Sequence, residues 1–207
     1  MTCIDTITLE VADPKAAERF YTAAFALDGR LRLRAAQEPA TGFRGFTLSL
    51  IVSQPADVHA LVGAALDAGA TTLKPVAKSM WGHGGVVQAP DGTIWKVATP
   101  AKKDTGPATR RIDAMVLLLG VRDVAASKRF YLDRGLTVAK SFGRMYVEFA
   151  ESGQVKLGLY RRKALAKDAG VSPEGSGSHR IAIGGASEPF TDPDGFTWEP
   201  SSVAARS

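Results

Sequence analysis

The sequence predicts an α+β protein in which a unit of one strand, one helix and further strands occurs twice in tandem. Two internal echoes, separated by roughly half of the 207-residue chain, define the repeat. Several short segments also alternate between apolar and polar residues, which is typical of strands whose sheet has two unlike faces. We expect one face to pack on helices and the more polar face to line a cleft.

The first echo begins each unit. Residues 4–21 read IDTITLEVADPKAAERFY, and residues 112–131 read IDAMVLLLGVRDVAASKRFY. Each copy predicts a strand followed by a helix that ends near Arg-Phe-Tyr. Asp13 and Asp123 are the expected N-caps, because a short acidic side chain accepts hydrogen bonds from the free N–H groups of the first turn. Gly135 is expected to end the second of these helices.

The second echo closes each unit. Residues 89–98 read APDGTIWKVA, and residues 192–201 read DPDGFTWEPS. Both copies contain Pro-Asp-Gly, two further residues and a tryptophan, which predicts a turn followed by a strand. The next residue differs between the copies: it is Lys96 in the first and Glu199 in the second.

Periodicity sorts the side chains of the other segments. Lys96 and Trp95 must point to opposite faces of their strand, so Trp95 and its counterpart Trp198 are predicted to lie in the core. A further helix is predicted from about Ala56 to Ala68, because its apolar residues recur at helical spacing. The other alternating segments are residues 30–34, 46–50, 144–149 and 154–159.

Composition and charge narrow the class of protein. The hydrophobic fraction of 45% and the charged fraction of 23% are ordinary for a globular protein, with no long apolar run and no recognisable signal peptide. The single cysteine, Cys3, cannot form an internal disulfide, which favours a reducing, cytoplasmic setting. The net charge of +5 comes from basic pairs in the second half rather than from a stripe with aromatic residues. Neither nucleic acid nor a membrane is therefore an expected partner.

The two echoes resemble the vicinal oxygen chelate superfamily, which includes glyoxalase I, bleomycin-resistance proteins, fosfomycin-modifying enzymes and extradiol dioxygenases. The resemblance rests on the opening strand with its R-F-Y helix, on residues 68–75 leading to M-W-G-H-G-G, and on the Pro-Asp-Gly-x-x-Trp stretches. It implies tandem βαβββ units that form curved mixed sheets around a cleft, with helices on the outer face. It also implies a homodimer, because the superfamily often pairs units between chains.

We predict a first domain at residues 1–100, a linker at 101–110 and a second domain at 111–207 that is truncated in its closing half. Only two stretches, 43–99 and 112–160, read as complete units. The sequence leaves open whether each domain closes its own cleft or the two complete units pair across the linker. Pairing is favoured because each complete unit otherwise faces an incomplete one.

The resemblance also implies where a metal would bind. Metal enzymes of the superfamily take a His or Gln from a first strand, a second ligand from the partner unit and the Glu after Pro-Asp-Gly-x-x-Trp. In the first domain these positions fall on Thr6, Arg44 and Lys96, which do not make a cation site. In the second domain only His179 and Glu199 remain. We therefore expect no cofactor, and assign His179 and Glu199 as ligands if Zn, Ni, Fe or Mn binds.

The sequence favours a metal-independent protein of the glyoxalase/bleomycin-resistance type that binds a small molecule. By resemblance it would sequester a drug or natural product, as in antibiotic resistance. Because the chain is basic, we expect an aromatic ligand that is neutral or acidic. Trp81, on the Gly-rich loop M-W-G-H-G-G, is either a pocket wall or a surface cap. The residues expected to line the ligand site are Arg44, Trp81, His83, Lys96, Tyr146, Phe149, Tyr160 and Glu199.

Two enzymatic alternatives stay open, and no catalytic residue is assigned. The first is a metal-dependent lyase, isomerase or dioxygenase at His179 and Glu199, with His83 or Glu148 as a third ligand if the halves pair. The second is an enzyme without metal that uses His83 or Glu148 as its base. Against these stand simpler interpretations, in which His83 is an exposed loop residue and His59 lies on a helix surface.

Overall fold

The structure is a computed structural model that describes residues 4–27, 29–150 and 153–200. Cys3, on which the expected cytoplasmic setting depends, lies outside the described residues. The helices are α1 (Pro14–Phe25), α2 (Pro55–Asp67), α3 (Val124–Asp133) and α4 (Arg162–Ala169). The strands are β1 (Thr6–Val11), β2 (Leu31–Ala35), β3 (Ala40–Gly42), β4 (Phe46–Ile51), β5 (Thr71–Ser79), β6 (Gly82–Gln88), β7 (Ile94–Thr99), β8 (Ala114–Val121), β9 (Val138–Phe142), β10 (Tyr146–Phe149), β11 (Val155–Arg161), β12 (Gly175–Gly177), β13 (Ile181–Ala186), β14 (Phe190–Thr191) and β15 (Thr197–Pro200).

The helix starts follow the capping rules. The Asp13 carboxylate accepts a hydrogen bond from the Ala16 N–H at 3.0 Å, and Pro14 occupies the first helical position of α1. The Asp123 carboxylate accepts from two N–H groups at the start of α3, which lowers the pKa of Asp123. Both N-cap predictions are confirmed, and so is the helix predicted near residues 56–68.

The two complete units form one eight-stranded sheet, here called the large sheet, with strand order β5-β6-β7-β4-β8-β11-β10-β9. Its seam is the antiparallel pair β4–β8, in which Ser49 lies opposite Val116. The sequence left open whether the two complete units pair with each other. The large sheet shows that they do, across the linker. The face that carries Lys96 is called the cleft face below, and the face that carries Trp95 is called the core face.

The two incomplete units form a five-stranded sheet, the small sheet, with strand order β14-β15-β13-β1-β2. Its seam is the antiparallel pair β1–β13, in which Thr6 lies opposite Gly184. This sheet repeats the plan of the large sheet with fewer strands. Each of the two sheets therefore takes strands from both halves of the chain.

A hydrogen-bonded chain connects the two echoes of the first unit. The Tyr21 hydroxyl, from the R-F-Y of α1, donates to the Asp91 carboxylate of the Pro-Asp-Gly turn at 2.7 Å. The Trp95 indole N–H donates in turn to the Tyr21 oxygen at 3.3 Å. Trp95 is fully buried on the core face and packs against Phe25. The prediction that Trp95 belongs to the core is confirmed.

The second unit has a similar chain with a different carboxylate. The Tyr131 hydroxyl of α3 donates to the Asp192 carboxylate at 2.6 Å, and the Trp198 indole N–H donates to the Tyr131 oxygen at 3.2 Å. Asp192 precedes the proline of the turn, where the first unit has Ala89. Trp198 is fully buried, as predicted. The tyrosine and tryptophan shared by both echoes thus have a structural role, since they fix each helix to the closing turn of its half.

The linker is fixed to the start of α2. The buried Asp57 carboxylate accepts hydrogen bonds from the N–H and hydroxyl of Thr109 and from the N–H of Arg110. The buried Gln54 carbonyl oxygen accepts from the N–H groups of Thr105 and Gly106. A segment with a loop-like composition is therefore held in one conformation by two polar side chains.

Helix α4 is the exception to the outer placement of the helices, because it packs on the cleft face. Its buried residues Leu165, Ala166 and Ala169 form a small apolar cluster with Val86 and Ile94 of the large sheet. This cluster is separate from the main core on the other face. Helix α4 therefore fills the middle of the cleft that the two complete units would otherwise leave open.

Candidate functional site: a cavity on the cleft face

A cavity of about 670 Å³ remains on the cleft face beside α4. Its walls come from the β5–β6 hairpin, from β7 and from the end of α4. It brings together three of the residues predicted from the sequence, Trp81, His83 and Lys96, and adds Asp168 of α4. The volume suits a ligand of one or two aromatic rings.

The hairpin tip carries the exposed aromatic side chain. Trp81 is 83% exposed, and Met80 beside it is 77% exposed. Gly82 follows with a φ of 119°, and a Cβ there would lie 1.9 Å from the Thr99 carbonyl oxygen, so only glycine permits this approach of hairpin and β7. The His83 ring nitrogen Nδ1 lies 3.3 Å from the Ala101 carbonyl oxygen. The tryptophan is thus held at the cavity rim by a tightly packed backbone.

Lys96 forms the charged floor of the cavity. Its ammonium donates to the Asp168 carboxylate at 2.8 Å, and the two side chains are 32% and 40% exposed. Lys74 donates to the Lys167 carbonyl oxygen at 2.8 Å, which fixes the end of α4 to β5. The sequence did not identify Asp168, because an amphipathic helix reveals its buried stripe but not the sheet face that receives it.

Tyr146 and Tyr160 lie on the same face across the β4–β8 seam. Their rings meet edge to face with centroids 5.8 Å apart. The Tyr146 hydroxyl donates to the Glu148 carboxylate at 3.0 Å, and burial together with this carboxylate raises the pKa of Tyr146. Helix α4 separates this pair from the cavity, because Tyr160 packs on the α4 cluster.

Phe149 requires a correction. It is 2% exposed and packs against Tyr131 in the main core, with ring centroids 5.6 Å apart. On β10 it points to the face opposite Tyr146, as the alternation of a strand demands. It is therefore not a cleft residue.

Arg44 and Glu199 are not among the residues that line this cavity, and each has partners elsewhere. Arg44 donates from its guanidinium to the Asp91 carbonyl oxygen, and burial lowers the pKa of Arg44. Glu199 lies on the small sheet, where it accepts from Arg34 at 2.6 Å. Arg34 also binds Glu10 at 2.6 Å, so one guanidinium joins two carboxylates.

His179 and Glu199 do not assemble into a metal site. The His179 ring nitrogens face two backbone carbonyl oxygens, Arg44 O at 2.5 Å and Asp194 O at 3.1 Å. The ring also stacks on Phe196 at 4.0 Å. Ligation requires a nitrogen lone pair directed at the ion, and here both ring nitrogens are directed at carbonyl oxygens, to only one of which a neutral imidazole can donate. Among the described residues, no group of three or more His, Cys, Asp or Glu could hold a metal ion.

The seam of the large sheet does not fit a divalent cation either. Ser49 and Val116 face each other across the seam, with Lys96 beside Ser49 and Lys156 beside Val116. These four residues are related by the pseudo-twofold symmetry of the seam. Two ammonium groups, a hydroxyl and an alkyl side chain repel a cation or offer it a single weak ligand.

The paired units, the seam between them and the cleft form the fold that is seen in solved structures of glyoxalase I. Glyoxalase I from Zea mays has the same fold at 15% sequence identity, with a TM-score of 0.63 over 96% of this chain and 91% of that one. Its V278E mutant gives a TM-score of 0.64 at 15% identity, over 97% and 92% of the chains. A protein from Bacillus subtilis, solved as a candidate dioxygenase, gives 0.60 at 12% identity, over 96% and 84%.

These similarities show the fold only. Any activity has to be argued from the residues of the site. No protein-family model matches the sequence, and no curated protein matches it. Within the described residues, no helix has both the length and the apolar character needed to cross a membrane.

Proposed function

We propose that this protein binds a small aromatic molecule in the cavity beside α4 without a metal ion, and acts in the cytoplasm by sequestering a drug or natural product. One observation carries the proposal: an exposed tryptophan at the rim and an ammonium on the floor share a cavity of about 670 Å³. A planar ring gains contact area and stacking on an indole, while the ammonium binds a polar group. Position 96 also argues against a metal-dependent enzyme, because it carries a lysine where a carboxylate ligand would be needed.

Tryptophan fluorescence tests this proposal directly. Trp95 and Trp198 are fully buried, so a ligand in the cavity can touch Trp81 but neither of them, and quenching by contact should be lost in Trp81→Ala. Suitable probes are 2-naphthoate and its neutral isostere 2-naphthamide, titrated into the protein and checked by thermal shift. We expect quenching by at least one probe and about tenfold weaker binding in Trp81→Ala, measured by calorimetry.

A matched control distinguishes the two halves of the cleft face. Phe142 is also an exposed aromatic residue, at 65%, and its ring lies beside Tyr146 outside the cavity. Phe142→Ala should bind both probes as the unmodified protein does. Loss of binding in Phe142→Ala with retention in Trp81→Ala would place the site at the tyrosine pair, and absence of binding by both probes would refute the proposal.

A further inference from the structure

The charges around the cavity are unbalanced. Lys74, Lys78 and Lys96 line it, and Asp168 is its only carboxylate among the described residues. Lys74 binds a backbone carbonyl oxygen in the last turn of α4 rather than a carboxylate. Three lysines against one carboxylate give the described lining a net positive charge, which favours an anionic group over a neutral one.

Asp168 is poorly placed for its own helix. It is the penultimate residue of α4, where the partial negative charge of the helix end repels a carboxylate. The helix is held instead by its apolar cluster and by Gly170, whose φ of 80° forms the C-cap. The one favourable interaction of the Asp168 carboxylate in the described structure is with Lys96.

The Lys96–Asp168 pair is easily exchanged. Both side chains are about one-third or more exposed, and ion pairs of that exposure contribute little net stability because water and salt screen them. Another carboxylate can therefore replace that of Asp168 without a change in the fold. The exchange also retains the charge balance at Lys96, which a neutral ligand would not achieve.

Ser49 is a buried hydroxyl residue next to Lys96. It lies directly beside Lys96 on the neighbouring strand, so both side chains leave the same face of the sheet. Its hydroxyl has no hydrogen-bond partner among the described residues. Ser49 is not part of the cavity lining, so only an acceptor that reached past Lys96 would receive its hydrogen bond.

We infer that the ligand of this cavity is an organic acid whose carboxylate or equivalent anion binds Lys96 in place of Asp168. Asp168 is a built-in competitor: it occupies the ammonium when the cavity is empty and lowers the affinity for the acid. This inference rests on the proposed function and specifies the ligand class for the same site. It makes Lys96 and Asp168 the residues that determine specificity for acids over neutral analogues.

The test compares 2-naphthoate with 2-naphthamide in the full-length protein and in two variants. We expect the unmodified protein to bind the acid at least about tenfold more tightly than the amide, because a charge-assisted hydrogen bond exceeds a neutral one by that amount. Lys96→Gln should remove most of the preference and leave only the part that the charges of Lys74 and Lys78 supply. Asp168→Asn should tighten binding of the acid about two- to fivefold and leave the amide unchanged.

A matched control separates local competition from a general change in charge. Asp133 is an exposed acid at the end of α3, away from the cavity, so Asp133→Asn makes the same charge change and should leave both affinities unchanged. Thermal denaturation and circular dichroism establish that each variant is folded. Raising the salt concentration should weaken the binding of 2-naphthoate but not the binding of 2-naphthamide.

Each outcome decides between the two proposals. Equal binding of acid and amide, or weaker binding of the acid by Asp168→Asn, would overturn the inference and leave the proposed function intact. Failure of both probes to bind would overturn the proposed function and the inference with it. If Asp133→Asn increased the affinity for 2-naphthoate as much as Asp168→Asn does, the effect would come from net charge alone, and the inference would be overturned.

Discussion

Replacing Tyr131 with phenylalanine tests whether the echoed motif works as a hydrogen-bonded chain. The change leaves the Asp192 carboxylate, which is 5% exposed, without its 2.6 Å donor, and leaves the Trp198 indole without its acceptor. A hydrogen bond to a charged group contributes about 1.5–3 kcal/mol and a neutral one about 1 kcal/mol. We therefore expect Tyr131→Phe to lower the free energy of unfolding by about 2–4 kcal/mol.

The first unit supplies the matched comparison. Tyr21→Phe removes the corresponding bonds to Asp91 and Trp95, but Asp91 is partly exposed, so water can replace the lost donor. The expected loss is smaller, about 1–2 kcal/mol. Urea denaturation of both variants, with agreement between fluorescence and circular dichroism as the check on two-state behaviour, measures the difference. Equal losses, or losses below about 0.5 kcal/mol in both, would refute the reasoning.

The pH dependence gives this prediction a second readout. Burial raises the pKa of Asp192 above its ordinary value of 3.8, and the Tyr131 hydrogen bond opposes that rise. The folded state thus keeps a proton that the unfolded state releases, so stability falls as pH rises from 3.8 through the folded pKa. In Tyr131→Phe that pKa should rise further and the fall should extend to higher pH. An Asp192→Asn variant should lack this dependence.

Two further predictions concern the linker and His179. Asp57→Ala removes the acceptor of the bonds from Thr109 and Arg110, at 2.5–3.2 Å, so the free energy of unfolding should fall by about 2–4 kcal/mol in urea denaturation; unchanged stability would show that the linker is not anchored there. His179→Phe keeps an aromatic ring beside Phe196 but loses both contacts to carbonyl oxygens, and should cost about 1–3 kcal/mol. Elemental analysis should find the same metal content in His179→Phe as in the unmodified protein, and a loss of stoichiometric metal would contradict the structural role.

Features with short-range causes could be predicted from the sequence. Asp13 and Asp123 cap their helices because the donors they satisfy are two or three residues away. The burial of Trp95 and Trp198 could be predicted because side chains alternate along a strand. Each tryptophan therefore points to the face opposite the residue that follows it, Lys96 or Glu199. The prediction that Phe149 lines the cleft was wrong, because the same alternation places its buried side chain on the face opposite Tyr146.

Features with long-range causes could not be predicted. Helical spacing places Leu165 and Ala169 on one face of α4, but spacing alone does not determine whether that face covers the core face or the cleft face of the sheet. Asp168 becomes a partner of Lys96 only through that choice of face. Likewise, the contacts of His179 with Arg44 and Asp194 depend on how the two sheets meet, which no local spacing encodes.

The small sheet also has a consequence for the order in which the protein forms during synthesis. Thr6 is made long before its partner Gly184, and closing so long a loop is slow and entropically costly. The large sheet and the cavity, in contrast, are encoded by one contiguous stretch from β4 to α4. We expect the cavity to be complete on the nascent chain while the edge of β1 that pairs with β13 is still free and exposed to aggregation, until β13 has left the ribosome.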